Sequence, residues 1–196
     1  MRVTGRSVTY GPRSGEHQHC PPRVFAGDGG AMTRVLVAFA TKMGSTRGIA
    51  DAVGEELLRH GLAVDVRNVR EVSSLGDYQA VVLGSAVYMG RWRPEAARFV
   101  RQRIAELTKR RVWLFESGWI GERPEGPAAT AGGLDRAQQV GASTPTAFGG
   151  CLDPALVTGP IDRMVAKRRS GDFRNWDDIR AWATTIADVL AAAGHR

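Results

Sequence analysis

Apolar runs alternate with segments of helical spacing along most of the chain. Three runs are almost entirely apolar, as is typical of strands that are buried on both faces, and they span Arg34–Ala40, Ala80–Gly84 and Arg111–Phe115. Leu62–Val66 predicts a shorter strand, and Pro145–Gly150 predicts a fifth, less regular one. These runs predict five strands.

The segments between the runs predict helices. Ile49, Val53 and Leu57 recur at helical spacing, Ser45 is placed to cap that helix, and Gly61 suits the position just beyond its end. A second helix is expected to begin at Pro94, where a missing N–H costs nothing, and a last one spans 176–193.

Strands that alternate with helices imply a parallel sheet with helices on both faces and right-handed connections. The stretch between Val69 and Tyr78 has room for one helical turn at most. In such sheets ligands bind at the carboxyl ends of the strands. We therefore expect a site in the loops that follow Ala40, Gly84 and Phe115.

The first of these loops has the composition of an anion site. Thr41–Thr46 contains hydroxyl residues and Gly44. No acidic residue occurs from Thr41 up to Asp51. The amides at the start of a helix are unpaired and carry the positive end of the helix dipole, so they favour phosphate. The loop lacks the Gly-Lys-[Ser/Thr] ending of a Walker A motif and the GxGxxG of a Rossmann fold. An ordinary capped turn is the alternative interpretation.

Residues 1–31 differ from the rest of the chain. They are rich in Gly, Pro, Arg and Ser and lack periodicity, which predicts a flexible extension before a single domain at 32–196. Because a strand follows Met32 almost at once, we expect translation to start at Met32, and a functional tail is the alternative. His17 and His19 have no further ligands at metal-site spacing, so no metal site is expected.

Composition and charge narrow the function classes. The chain has 196 residues, 43% hydrophobic and 24% charged, which is ordinary for one globular domain. Its formal net charge of +7 favours anionic partners. Cys20 and Cys151 are the only cysteines, so we expect no disulfide framework. We expect a cytoplasmic location instead. No apolar run is long enough to span a bilayer, so no transmembrane segment is expected. The basic stretch around Arg163 lacks a recognition motif, so nucleic-acid binding is not expected either.

Two stretches resemble the flavodoxins. "VLVAFATKMGSTRGIADAVGEEL" is similar to their first strand, phosphate loop and first helix, with Met43 in place of the usual central threonine. "VVLGSAVYMGRWRPEAARFV" is similar to their second flavin loop. Gly149-Gly150, the basic stretch 162–171 and Trp176-Asp177 extend the resemblance to the menaquinone-dependent protoporphyrinogen oxidase branch of that family.

The resemblance implies a flavodoxin-like α/β sandwich of three layers, with a five-stranded parallel sheet in the order 2-1-3-4-5. It implies FMN as the cofactor, with Tyr88 and Trp119 as candidate stacking groups or, alternatively, packing residues. It assigns no catalytic acid or base. The implied cofactor-binding residues are Thr41, Lys42, Met43, Gly44, Ser45, Thr46, Ser85, Ala86, Val87, Tyr88, Met89, Gly90, Ser117, Gly118, Trp119 and Ile120.

Three functions remain open at this point. The resemblance implies an FMN oxidoreductase of the protoporphyrinogen oxidase type, with a porphyrin as substrate and a quinone as electron acceptor. It implies that the protein contacts the inner face of the membrane without spanning it. The positive charge also suits a reductase that uses a deazaflavin of the F420 type, whose tail is acidic. A simple one-electron carrier is the third alternative, although typical flavodoxins are acidic and this chain is basic.

The composition of residues 1–31 generates the first testable prediction. A chain that begins at Met32 should fold and bind cofactor as well as the full chain, because the first strand starts at Arg34. Urea unfolding and flavin titration of both chains provide the measurement. A stability loss above about 1 kcal/mol, the size of a typical point mutation, would contradict it.

Overall fold

The computed structural model describes residues 32–119, 127–154, 159, 163 and 170–194. The expectations for residues 1–31 and Ile120 fall outside this range. The strands are β1 (Arg34–Ala40), β2 (Ala63–Asn68), β3 (Ala80–Tyr88), β4 (Arg91–Trp92), β5 (Arg111–Trp119), β6 (Thr146–Gly149), β7 (Cys151–Leu152) and β8 (Gly171–Asp172). The helices are α1 (Ser45–Arg59), α2 (Pro94–Leu107), α3 (Ala131–Val140) and α4 (Trp176–Gly194), with a 3-10 turn at Val69–Glu71.

The central sheet has the order β2-β1-β3-β5-β6, and these five strands are parallel. Counted over the five, this is the predicted order 2-1-3-4-5, which is confirmed. The short strand β4 adds to β3 as an antiparallel hairpin. β7 and β8 pair with each other as a separate antiparallel ribbon. Neither the hairpin nor the ribbon was expected from the sequence.

Two apolar clusters cover the two faces of the sheet. Alternate residues of β1 point to opposite faces. Val35 and Val37 pack in the cluster that contains the buried residues of α1 and α4. Leu36 and Ala38 pack in the cluster that contains those of α2 and α3. Because both faces are covered, β1 is buried from Val35 to Ala40, which explains its continuous apolar run.

Helix α3 is a correction to the sequence analysis, which assigned no helix between Ile120 and Thr146. Its buried positions are Gly133, Ala137 and Val140. Glycine and alanine contribute little to a periodic apolar pattern, so the signal for this helix is weak. Its end signals are regular, since the Thr130 side chain accepts a hydrogen bond from Gly133 N–H and Gly141 follows with a φ of 68°. The helix is therefore determined by its caps and by close packing.

Gly84 generates a prediction about the core. A Cβ atom built at Gly84 would lie 2.0 Å from Cζ of the buried Phe115, whose ring also packs against Trp182 at 5.8 Å between centroids. Gly84→Ala should therefore destabilise the fold by about 1–3 kcal/mol through overpacking. Gly76→Ala is the matched control, because its Cβ would meet only Ser74 Oγ at 3.4 Å. Equal urea midpoints for the two variants would contradict the prediction.

Candidate functional site

A cavity of about 330 Å³ lies at the carboxyl ends of the strands, between the loops after β1, β3 and β5 and the ribbon strand β7. Its position is the one that the topology predicted. The predicted residues that line it are Thr41, Lys42, Met43, Ser45, Thr46, Ala86, Val87, Tyr88, Met89, Ser117 and Gly118. We call it the main cavity.

A second cavity, of about 140 Å³, adjoins the main cavity and shares four lining residues with it, Val87, Met89, Ser117 and Gly118. Gly90 and Trp119 line this second cavity rather than the first.

The remaining predicted residues among those described, Gly44 and Ser85, line neither cavity. Ser85 Oγ donates to Ala86 O at 3.0 Å and accepts from Arg93 N–H at 3.0 Å, so its role is to hold the hairpin.

The start of α1 supplies donors to the main cavity. The first helical hydrogen bond runs from Gly48 N–H to Gly44 O at 3.2 Å, so the amides before it have no acceptor within the helix. Gly44 is the N-cap residue, with a φ of 87° and no side-chain capping bond, and its own N–H donates to Thr41 Oγ1 at 3.0 Å. With no acidic residue in the first turn, this helix end favours an anion.

The expectation that Ser45 caps α1 is wrong. Ser45 is the first helical residue, and its Oγ accepts a hydrogen bond from Cys151 N–H at 2.9 Å. The hydroxyl therefore fastens the ribbon strand β7 to the start of α1. The sequence could not show this, because the partners are 106 residues apart.

A hydrogen bond between Thr46 and Ser117 joins the first turn of α1 to the end of β5. Their hydroxyl oxygens lie 3.1 Å apart, and either can donate. Thr46 is completely buried and Ser117 is almost so, at 1% exposure. A buried hydroxyl pair of this kind is costly to break, because each partner left alone would be unsatisfied.

Glu116 holds the segment before α3 against the sheet. Its buried carboxylate accepts hydrogen bonds from Thr130 N–H at 2.7 Å, from Thr130 Oγ1 at 2.6 Å and from Trp92 Nε1. Buried carboxylates need such partners. The three bonds connect β5, the β4 hairpin and the cap of α3, so Glu116 sets the walls of the second cavity, which it also lines.

The rim of the main cavity carries a cation. Lys42 Nζ lies 3.8 Å from the ring centroid of Tyr88, a cation–π contact. One face of the Tyr88 ring is therefore covered, and a flat ligand that stacks on this face would displace Lys42. Lys42 also places a positive charge beside the first loop.

Backbone segments close the floor of the cavity. A Cβ at Gly149 would lie 1.8 Å from Phe173 O, one at Gly150 would lie 2.8 Å from Gly118 Cα, and one at Gly118 would lie 2.4 Å from Val87 O. Only glycine fits at these three close approaches. They let Gly150, at the start of the ribbon, pack against the end of β5, and Gly150, Cys151 and Leu152 line the main cavity.

Gly150, Cys151 and Leu152 were not predicted as site residues. The one available signal was the Gly149-Gly150 pair, which indicates close backbone contact.

An ion pair fixes the ribbon beside α1. Arg174 Nε donates to Asp172 Oδ1 at 2.8 Å, and the guanidinium lies 4.4 Å from the Trp176 ring centroid. Arg174 Nη1 also donates to Ser45 O at 3.4 Å. The hydrogen bonds from Arg174 lower the pKa of Asp172 below its ordinary value. The pair thus holds a positive charge near the first turn of α1.

The site offers hydrogen-bond donors at one end and a largely apolar wall elsewhere, which suits a ligand with an anionic end and a flat body. No group of three or more His, Cys, Asp or Glu side chains in the described part of the chain is placed to hold a metal ion. Among the described helices, none is long and apolar enough to cross a membrane.

Comparison with known proteins places the chain in a family. Residues 36–157 match the family model described as "Flavodoxin domain", which is more than half of the chain. The chain belongs to the flavodoxin domain family. This membership supports a flavin cofactor and a redox role, and it confirms the resemblance seen in the two sequence stretches.

Individual relatives are more distant. Protoporphyrinogen IX dehydrogenase [quinone] from Escherichia coli K12 is 27% identical over 94 residues, which cover 47% of this chain and 52% of that protein. The chain thus matches about half the length of this curated relative.

Solved structures show the same fold. An archaeal flavodoxin has 15% identity and a TM-score of 0.55 over 81% of this chain and 99% of its own. Flavodoxin 2 from Bacillus cereus has 20% identity and a TM-score of 0.54 over 80% of this chain and 99% of its own.

Cys151 makes the main cavity testable. Burial, with the nearby Asp172 carboxylate as a smaller cause, raises the pKa of the Cys151 thiol. In a Cys20→Ser chain, alkylation by iodoacetamide should therefore rise at a higher pH than for a cysteine peptide, because only the thiolate reacts. A flavin that fills the main cavity, which Cys151 lines, should slow the reaction at least about tenfold at saturating FMN, a factor that corresponds to about 1.4 kcal/mol. Equal rates with and without FMN would show that the ligand binds elsewhere.

Proposed function

We propose that the chain binds FMN in the main cavity and exchanges electrons with a redox partner. The observation that carries the proposal is the start of α1. Amides without helical acceptors lie there beside the Thr41 and Thr46 hydroxyls at one end of the cavity, and the first turn contains no acidic residue. A phosphate group fits such a position. Membership of the flavodoxin domain family points to the same cofactor.

The rest of the cavity suits the flavin ring. Ala86, Val87 and Tyr88 line one wall, and Ser117 and Gly118 line another. The volume of about 330 Å³ lies in the range of small-molecule sites. When bound, FMN supplies the reversible uptake of one or two electrons. The protein contributes binding, orientation and the electrostatics around the ring.

Three structural ties would keep these walls in place for the cofactor. The Thr46–Ser117 bond sets the separation of the first and third loops, the Ser45–Cys151 bond closes the ribbon, and Glu116 fixes the segment before α3. A site held by such contacts is pre-formed, so little ordering is needed on binding. Lys42 belongs to the first loop, and its ammonium lies over the Tyr88 ring, so it adds a positive charge at the rim of the same cavity.

A second candidate function is the dehydrogenation of protoporphyrinogen with a quinone as acceptor. The observation that favours it is the 27% match to the E. coli enzyme. Anaerobic mixing of the FMN-loaded chain with protoporphyrinogen IX and a menaquinone analogue tests it, with porphyrin fluorescence as the readout. Fluorescence no faster than in a flavin-only control would leave the electron-carrier function as the proposal.

The Thr46 hydroxyl generates the prediction for cofactor affinity. Thr46→Val keeps the volume of the side chain but removes its hydroxyl, a donor whose bond to a charged group is worth roughly 1.5–3 kcal/mol. FMN affinity, measured by quenching of flavin fluorescence, should fall about tenfold or more, since 1.4 kcal/mol is a factor of ten.

Thr46→Ser is the matched control and should retain most of the affinity. Thr46→Val loses the hydrogen bond to Ser117 and Thr46→Ser loses a buried methyl group, so urea unfolding of the apoprotein is measured alongside. Unchanged FMN affinity in Thr46→Val would remove the phosphate from the first loop and overturn the assignment.

A further inference from the structure

One residue at the tip of the β3–β4 hairpin has an unfavourable backbone conformation. Met89 and Gly90 connect the two strands, and their φ angles are 50° and 73°. Two residues with positive φ form a hairpin turn of type I′, for which Asn-Gly is preferred and a long side chain at the first position is disfavoured. Met89 is the only non-glycine residue with positive φ in the described part of the chain.

The side chain of Met89 is also unusually exposed. It is 83% exposed, against 44–47% for Leu58, Leu134 and Val189, the other exposed large apolar residues described. It lies on the rims of both cavities. A strained conformation that presents an apolar side chain to solvent beside a site is a reason to look for a binding role.

Arginines are frequent in the hairpin and in the two segments that pack beside it, the 3-10 turn and the start of α2. The segments 69–71 and 89–103 contain six arginines and two glutamates. We call Arg70, Arg91, Arg93 and Arg98 the arginine face. A groove of about 470 Å³ between the 3-10 turn and the start of α2 is lined by Arg70, Arg98 and Arg103 among others.

The carboxylate in the groove, Glu95, is already shared. It lies 3.2 Å from Arg93 Nε and 3.6 Å from Arg70 Nη2. Arg91 and Arg98 are exposed and form no ion pair with any described residue. The arginine face therefore carries positive charge that the described residues do not neutralise.

We propose that Met89 and the arginine face form the docking surface for an acidic protein, the redox partner of the bound flavin. This inference rests on the proposed function. Guanidinium groups pair with carboxylates in a bidentate way, and Met and Arg are both enriched in protein interfaces. An adaptable methionine at the centre and arginines around it match a partner with an apolar contact inside an acidic ring.

An acidic protein fits better than a membrane surface. A helix that lies on a membrane combines basic residues with several large apolar ones. On segments 69–71 and 89–103, Met89 is the one exposed large apolar residue, since Trp92, Phe99 and Val100 are buried. A partner seated on Met89 would also be placed against the cavity rims, where an electron has the shortest path.

The experiment compares two haem proteins of opposite charge as probes. Binding of FMN-loaded full chain to cytochrome b5, which is acidic, and to cytochrome c, which is basic, is measured by biolayer interferometry. Cytochrome b5 should bind, and its affinity should fall at least about tenfold between roughly 20 and 200 mM salt, because screening weakens such contacts. Preference for cytochrome c, or equal binding of both, would overturn the proposal.

Variants assign the binding to this surface. Met89→Asn should weaken binding of cytochrome b5 about fivefold or more, while Tm rises by about 2–4 °C because asparagine tolerates positive φ. Arg91→Glu with Arg98→Glu should weaken it at least about tenfold through reversed charge. Lys109→Glu, a charge reversal beyond the far end of α2, is the control and should change affinity less than twofold, because it lies about 20 Å along the helix from the hairpin, beyond the distance over which salt screens exposed charges.

Two further outcomes are decisive. Binding to phosphatidylglycerol vesicles that the double arginine variant abolishes, without binding of cytochrome b5, would replace the protein partner with a membrane. A loss of binding of about threefold or more in Lys109→Glu, half in free energy of the tenfold loss expected for the double arginine variant, would show that only net charge matters, because the control reverses one charge against two. FMN titration of each variant keeps the proposals separate, because docking without FMN binding would contradict the proposed function and leave the surface intact.

Discussion

The hydrogen bond between Thr46 and Ser117 is the contact on which the site depends. Both side chains are buried, so breaking this bond is costly, and it joins the first turn of α1 to the end of β5. With this bond formed, the amides at the start of α1 and the backbone of the third loop face the same cavity. The walls of the cavity are thus set by the protein itself before any ligand binds.

Two other ties extend this arrangement. Glu116 connects the third loop to the β4 hairpin through Trp92 and to α3 through Thr130. Ser45 connects α1 to the ribbon through Cys151. Each tie joins elements that are far apart in sequence and adjacent at the carboxyl edge of the sheet. A parallel sheet brings the loops to one edge, and these buried or half-buried polar bonds decide how the loops stand there.

The sequence was sufficient for the sheet and for most of the residues that line the main cavity. Continuous apolar runs identified β1, β3 and β5, and their alternation with helices implied the edge at which the loops meet. Three of the features that were missed have separate physical reasons. Helix α3 buries Gly133 and Ala137, which give little periodic signal. Ser45 bonds to Cys151 across a sequence separation that no local pattern reports. β7 forms part of the cavity through backbone contacts at glycine, which leave no side-chain signature.

The glycine contacts beneath the cavity also determine where this site has freedom to change during evolution. Gly118, Gly149 and Gly150 each touch another backbone, so any larger residue at these positions would push the strands apart. Lys42 and Met89 are exposed residues that line the same cavity from its rim, and their side chains can vary without moving the backbone floor. Descendants of this chain can therefore acquire new ligand preferences through the rim while the floor stays constant.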